Sequence, residues 1–183
     1  PGMHGEGAPL WRDGRNVIFD DGGVRKNYGL LGLENLAARP TGFKATIAGT
    51  EPRLFIGAGA SAYRYRSSDG LTEIGTFSSS GGIFQFVPWG TTCLISNGVD
   101  AVEYWDGVTA NDSAPITAPF GRANTIFSYQ TQAFAGGTDN GGQIIEWCQI
   151  NRPDLTWVPT GTNSAGNLLC RDLIGDIVAA QPI

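Results

Sequence analysis

A chain of 183 residues is long enough for one domain with a sizeable core, and its 27 glycines beside only 16 % charged side chains fit turn-rich sheet better than helix. With 12 basic against 17 acidic residues and a net charge of −5, the balance argues against a dedicated nucleic-acid clamp, because a clamp needs a basic stripe to displace counterions from phosphates. The same balance suits a surface past which a polyanion moves without sticking.

In chain order, residues 1–8 read as a loose lead-in, and His4, the single histidine, as a solvated side chain rather than a ligand or base. Trp11 to Lys26 holds two short strands around Asp20-Asp21-Gly22-Gly23, whose Asp-Gly and Gly-Gly steps supply the positive φ of a hairpin turn. Asp20 and Asp21 are turn residues rather than a metal or acid–base pair, since adjacent side chains on an extended chain point to opposite sides. Leu33 to Arg39 predicts one or two helical turns, ended by Pro40. Residues 1–43 are therefore an N-terminal arm with a hairpin, and residues 44–183 a separate array.

That array repeats. Arg53-Leu54-Phe55-Ile56-Gly57-Ala58-Gly59 returns as Thr92-Cys93-Leu94-Ile95-Ser96-Asn97-Gly98 and again as Thr131-Gln132-Ala133-Phe134-Ala135-Gly136-Gly137. The closing glycines are 39 residues apart both times, and Tyr65 maps onto Tyr104 at the same spacing. A fixed period near 40 residues with short strands inside it predicts an all-β protein of β-propeller-like repeats.

The first copy predicts strands at Lys44–Ala48, Arg53–Ala58, Ala62–Arg66 and Thr72–Gly75, with Tyr63 and Tyr65 on one face, Arg64 and Arg66 on the other, and the tyrosines packing between blades. The second predicts Ile83–Val87, Thr92–Ser96 and Val102–Trp105, with a weak fourth strand at Ile116–Ala118. The third predicts Thr125–Tyr129, Gln132–Ala135 and Ile144–Cys148, with a lengthened loop at Thr138–Gly142 that aligns Trp147 with Tyr104. Asn151 to Trp157 then reads as a turn leading to a short strand, and Arg171–Ala180 as the first strand of a fourth blade. Propellers close with about 4 to 8 blades, so three blades and a beginning predict a piece of a longer polypeptide or of an assembly.

Chemistry is sparse in this pattern. Cys93, Cys148 and Cys170 have neither a metal-ligand spacing nor an even-numbered disulfide framework, which leaves buried or half-buried reduced thiols. Ser67-Ser68-Asp69-Gly70-Leu71-Thr72 brushes against the Asp-box of sialidase-type propellers but fails it on spacing. Glycoside hydrolysis needs two carboxylates flanking one bond; Asp100, Glu103, Asp106 and Glu146 are the available acids, each read as a turn or surface residue. A Ser-His-Asp arrangement would have to recruit His4. Trp89, Trp105, Trp147 and Trp157 could stack sugars, but packing between blades is the commoner use of such positions. The expectation is a non-enzymatic protein with no catalytic residue, cofactor or metal site. The run without charged side chains from Glu73 to Asp100 is full of Ser, Thr and Gly, so it reads as sheet and not as a membrane span.

Three stretches carry a resemblance. Asp13 to Lys26 resembles the opening of phage virion proteins that read Asn-Val-x-Phe-x-Asp-Gly-x-Val-x-Lys. Asn97-Gly98-Val99-Asp100 with Tyr104-Trp105-Asp106-Gly107 is similar to their second-blade pattern, and Glu146 to Trp157 to their Trp-Ser-x-x-Asn-x-Pro-x-x-Trp segment, with Cys148 in place of the commoner Ser. The family is the β-propeller tail protein of tailed bacteriophages, which includes the tail nozzles of short-tailed phages. The resemblance implies a structural virion protein, made in the host cytoplasm and built into the tail as a ring, a hexamer, around the DNA exit channel. It implies contacts with further copies, an adaptor and fibres, and DNA in transit without specific binding. A propeller module that binds a host-surface glycan or a partner protein is the alternative.

Overall fold

The computed structural model of the chain describes residues 17–20, 23–26, 35–48, 51–108, 112–154 and 157–180. Among them every regular element is a strand. Two units form, Pro1–Asn35 and Leu36–Ile183. In the first, β1 (Val17–Asp20) and β2 (Gly23–Lys26) pair antiparallel with Asp20 opposite Gly23, which is the hairpin that the Asp-Asp-Gly-Gly run predicts.

The second unit is three four-stranded antiparallel sheets in sequence. The first holds β3 (Pro40–Ala48), β4 (Glu51–Ala58), β5 (Ser61–Arg66) and β6 (Gly70–Thr76). The second holds β7 (Gln85–Trp89), β8 (Thr92–Ser96), β9 (Glu103–Trp105) and β10 (Ala114–Pro115). The third holds β11 (Ala123–Tyr129), β12 (Gln132–Thr138), β13 (Gly141–Trp147) and β14 (Gly166–Leu169). The sheets meet along their first strands, β3 against β7 and β7 against β11.

Side-chain alternation sorts the core into two layers. Phe55, Ala62 and Ile74 of the first sheet pack against Phe86, Cys93, Ile95 and Trp105 of the second. Val87 and Leu94, on the second sheet's other face, pack against Ala123, Ile126, Ala133, Ala135 and Cys148 of the third. Phe55 stacks on Phe86 at 5.8 Å and meets Trp105 edge-on at 6.2 Å, arrangements worth about 0.5–1.5 kcal/mol beyond the area buried. The Trp157 indole is sealed beside the second layer, edge-on to Phe120, with its N–H donating to the Pro153 carbonyl at 2.9 Å.

The repeat has a conformational basis at its glycines. Gly59, Gly98 and Gly137 all adopt left-handed φ, at 63°, 75° and 63°, where a Cβ is strained. The side-chain register is slightly different. Leu94 pairs with Tyr104 and Phe134 with Trp147, so Phe134 and not Ala133 occupies the place of Leu94, 40 residues on. The strand pairing shifts between Gly136 and Thr138, at the third glycine itself.

Several expectations are corrected. Thr138–Gly142 is no lengthened loop, because Thr138 pairs with Gly141 across a two-residue turn and the strands run longer instead. The second sheet's fourth strand is Ala114–Pro115 rather than Ile116–Ala118, an edge position where a proline costs no ladder bond. The third sheet's fourth strand is Gly166–Leu169, well past the turn closed by Gln149 and Arg152. Residues 171–180 form no strand, and residues 35–39 no helix; Leu33 and Glu34 lie outside the described residues. Tyr63 and Tyr65 face away from the second sheet, whereas Arg64 enters the layer between sheets with no exposed surface.

Close approach of β3 to β7 depends on Gly42, where a Cβ would overlap the main-chain carbonyl of Phe84; at Gly81 a Cβ meets nothing. Gly42→Ala should therefore lower unfolding free energy in urea by about 1–3 kcal/mol, the usual cost of overpacking. Gly81→Ala should stay within about 0.5 kcal/mol of the parent. Equal stability of the two variants would contradict this account of the sheet contact.

Candidate functional site

The polar residues that sequence reading offers for chemistry sit in three places. The first is the turn between β5 and β6. Arg64 reaches from the sheet layer to donate to Asp69 Oδ2 at 2.8 Å and to Thr72 at 3.2 Å, with its guanidinium 5.7 Å from the Trp105 ring centre. Arg66 closes on Asp69 from the solvent side and on Glu51 at 3.2 Å. Hydrogen bonds from Arg66 and then Arg64 hold the Asp69 carboxyl well below the usual carboxylate range, against the opposing effect of burial. The Ser67-Ser68-Asp69-Gly70 run is thus a clasp on a buried arginine.

The second place is the loop after β8. Asp100 accepts from Ser78 Oγ at 2.5 Å, from the Ser79 amide at 2.8 Å and from Asn97 Nδ2 at 2.8 Å. Asn97 Oδ1 accepts from the amides of Val99 and Asp100 at 3.0 and 2.8 Å. Burial pushes the Asp100 carboxyl up, but these hydrogen bonds outweigh it and leave the pKa below the ordinary value. Asn97-Gly98-Val99-Asp100 is a self-capped turn, and Asp106 caps the next one by accepting from the Val108 amide at 2.8 Å.

The third place is the pair of buried glutamates, Glu103 on β9 and Glu146 on β13, 9 % and 2 % exposed. They hold matching positions, paired with Ile95 and Ala135. Glu103 is hydrogen-bonded by the Ser113 hydroxyl, Glu146 by Asn140 Nδ2 at 2.9 Å, and among the described residues Glu146 Oε2 meets no hydrogen-bond donor in bonding geometry. Burial is the main cause that pushes both carboxyls up, with Asp100 and Asp112 adding to it at Glu103 and Asp139 at Glu146. Asp100 and Glu103 thus lie in one neighbourhood. Glu103 and Glu146 do not, because each faces a different layer, and no bond can lie between them.

Among the described residues no group of three or more His, Cys, Asp or Glu could hold a metal ion. Cys93 and Cys148 are buried free thiols raised by burial, and Cys170 is half-buried and free. His4 and Asp21 lie outside the described residues. Trp105 and Trp157 are fully buried, Trp89 packs against the second layer, and Trp147 is half-buried on the far face of the third sheet. An open trough of about 540 Å³ lies on the far face of the first sheet, lined by Ala45, Ile47, Pro52, Leu54 and Tyr65. Sequence reading missed it, because alternation shows which residues share a face but not which face stays uncovered. No helix among the described residues is long and apolar enough to cross a membrane. No protein-family model matches the chain, and no curated protein is detectably similar to it.

The glutamates generate a pH test. Their folded pKa values lie above the ordinary 4.5, so their contribution is full below that value and is lost as pH rises through the folded pKa. Asp69 and Asp100 act oppositely and weaken the fold only as pH falls below the ordinary 3.8. Glu146→Gln should melt higher than the parent at pH 7, with the difference closing as pH approaches about 4.5. A constant difference across that range would show that Glu146 does not titrate in the folded protein.

Proposed function

We propose that the chain is a structural component of a bacteriophage tail, part of a nozzle or tail-tube ring of six copies around the DNA exit channel. The observation that carries this reading is the distribution of charge over the strands. β3, β7 and β11, along which the sheets meet, hold one charged residue between them, Lys44. The described acids sit instead in turns and loops, among them Asp69, Asp100, Asp106 and Asp139, and on later strands, with Glu51 on β4, Glu73 on β6, Glu103 on β9 and Glu146 on β13. The net charge is −5 and acids such as Asp69, Asp100 and Glu146 are held in the framework's own hydrogen bonds, so the protein gives a polyanion in transit little to bind.

The residues that carry the family resemblance have architectural roles. Asn97 and Asp100 cap one turn, Asp106 caps the next, and Trp105 and Trp157 are buried in the two layers. The acids are engaged in bonds that hold turns and strands together, which favours a load-bearing part over a catalytic one. The glycan-binding alternative has weaker support, since two of the four tryptophans that could stack sugars are inside the protein and the trough on the first sheet is mainly aliphatic.

Phage particles purified from the source culture should contain this polypeptide by peptide mass spectrometry, and gold-labelled antibody against it should decorate tail tips. Native mass spectrometry of the detergent-released tail should show a ring of about six copies, a closed cyclic assembly. Absence from purified particles, or a monomer that binds host polysaccharide, would overturn the reading.

A further inference from the structure

Within the second unit, each sheet receives on a matching spot the residue that leads into the next sheet. Phe84, just ahead of β7, lies over Gly57 of β4, where a Cβ would overlap its ring. Ala123, which opens β11, lies over Ser96 of β8, whose hydroxyl donates to the Ala123 carbonyl at 3.0 Å. The same fit occurs a third time. Ile177 lies over Gly136 of β12, where a Cβ would come within 3.1 Å of the isoleucine Cγ2, and Ile177 is only 8 % exposed.

The amides repeat the relation. Gln85 Nε2 of β7 donates to the Asn124 carbonyl of β11 at 2.9 Å, and Asn124 Nδ2 in turn donates to the Ile177 carbonyl at 3.2 Å. The Ile177 amide is fixed to the Gly142 carbonyl at 2.7 Å. Ala180 borders a hollow shared with Phe86, Val87 and Pro88 of β7 and Ile126, Phe127 and Ser128 of β11, so residues 177–180 lie at the inner edge of the array, next to the first strands.

The face beyond is apolar. Phe127, Phe134 and Trp147 form a row with ring centres 5.1 and 6.2 Å apart, on the side of the third sheet opposite Ala133 and Ala135. Leu168, which shares that face through its pairing with Ile145, is 56 % exposed. Phe55 and Leu94, in the place that Phe134 holds here, are sealed by the following sheet.

We propose that this face is the seat of a fourth four-stranded sheet of the same repeat, carried by the same polypeptide, with Ile177–Ala180 as the start of its innermost strand. The occupant follows from continuity with the two contacts already made, each of which pairs a sheet's far face with the next sheet along the chain. A second copy fits less well. Its first sheet would have to bring β3 into the slot beside β11, and residues 177–180 hold that slot. The inference rests on sheet packing and stands independently of the virion reading.

The test compares thiol labelling at Leu168→Cys with labelling at Val158→Cys, which is 48 % exposed in the parent and outside this face. Both are made in a Cys170→Ser background, and Cys93 and Cys148 are buried. The polypeptide is expressed from its complete reading frame and treated with a maleimide. The fourth sheet predicts labelling at position 168 slowed by about tenfold or more relative to 158, unchanged on dilution. Hydrogen exchange on the unsubstituted protein should show the same protection at 144–147 and 166–169. Equal labelling rates overturn the proposal, as does a reading frame that closes at Ile183. Protection that disappears on dilution also overturns it, because a second copy would then be the occupant.

Discussion

Strand β8 gives one side of its pleat to each neighbouring sheet. Cys93 and Ile95 point into the layer shared with the first sheet, Leu94 and Ser96 into the layer shared with the third. A slip of one residue in its pairing would exchange the two sets, placing the Ser96 hydroxyl among Phe55, Phe86 and Trp105. The distance between sheets is equally constrained. Gly42 and Gly57 meet Phe84, and Gly82 meets the Asn97 carbonyl, each without room for a Cβ. Small residues set the spacing near the first strands, and large ones, Trp105 and Ile74 above all, fill the layer farther out.

Three polar side chains enter these layers from the third strands, and their energetics differ. The Arg64 guanidinium is paired with Asp69 and lies against the Trp105 face, a cation–π contact worth about 2 kcal/mol when desolvated. Glu103 and Glu146 have no ion-pair partner among the described residues, and a buried unpaired charge costs several kcal/mol. They resolve this by favouring the protonated form. A hydrophobic residue would be at least as stabilising there. What the glutamates add is directional: only the native pairing brings Ser113 to one carboxyl and Asn140 to the other, and a wrong register would leave a buried carboxyl without a partner.

The sequence shows which residues share a face, and it shows the period, because both depend on local rules. The pairing of Leu94 with Tyr104 and of Phe134 with Trp147 follows from alternating side chains around turn glycines. Which face gets covered is a tertiary outcome, so alternation alone does not show that Arg64 is fully buried while Tyr65 is only half-buried on the outer face. The outermost strands were the least legible. β10 is two residues long, and β14 follows a loop fixed by hydrogen bonds of Asn163 and Ser164 rather than by apolar periodicity. Trp157 suggests a strand because of its type, but its indole turns inward to the Pro153 carbonyl. Of the four acids expected in turns or on the surface, Asp100 and Asp106 hold turns, whereas Glu103 and Glu146 are buried, which no spacing signals.

Hydrophobic area argues further about what kind of object three such sheets make. Arrays of repeats stay soluble in isolation when their terminal units present polar outer faces. Here the first sheet turns outward Phe43, 76 % exposed, and Ile47, 70 % exposed, the latter in a trough with Leu54 and Tyr65. The third turns outward Phe127, Phe134 and Trp147. Contiguous apolar surface of this kind marks a contact rather than a solvated boundary. The middle sheet shows what such faces do when they are satisfied: both of its sides are buried, and the residues matching Phe134 contact the next sheet. Both outer faces thus carry apolar surface of the kind that a neighbouring sheet covers on either side of the middle one.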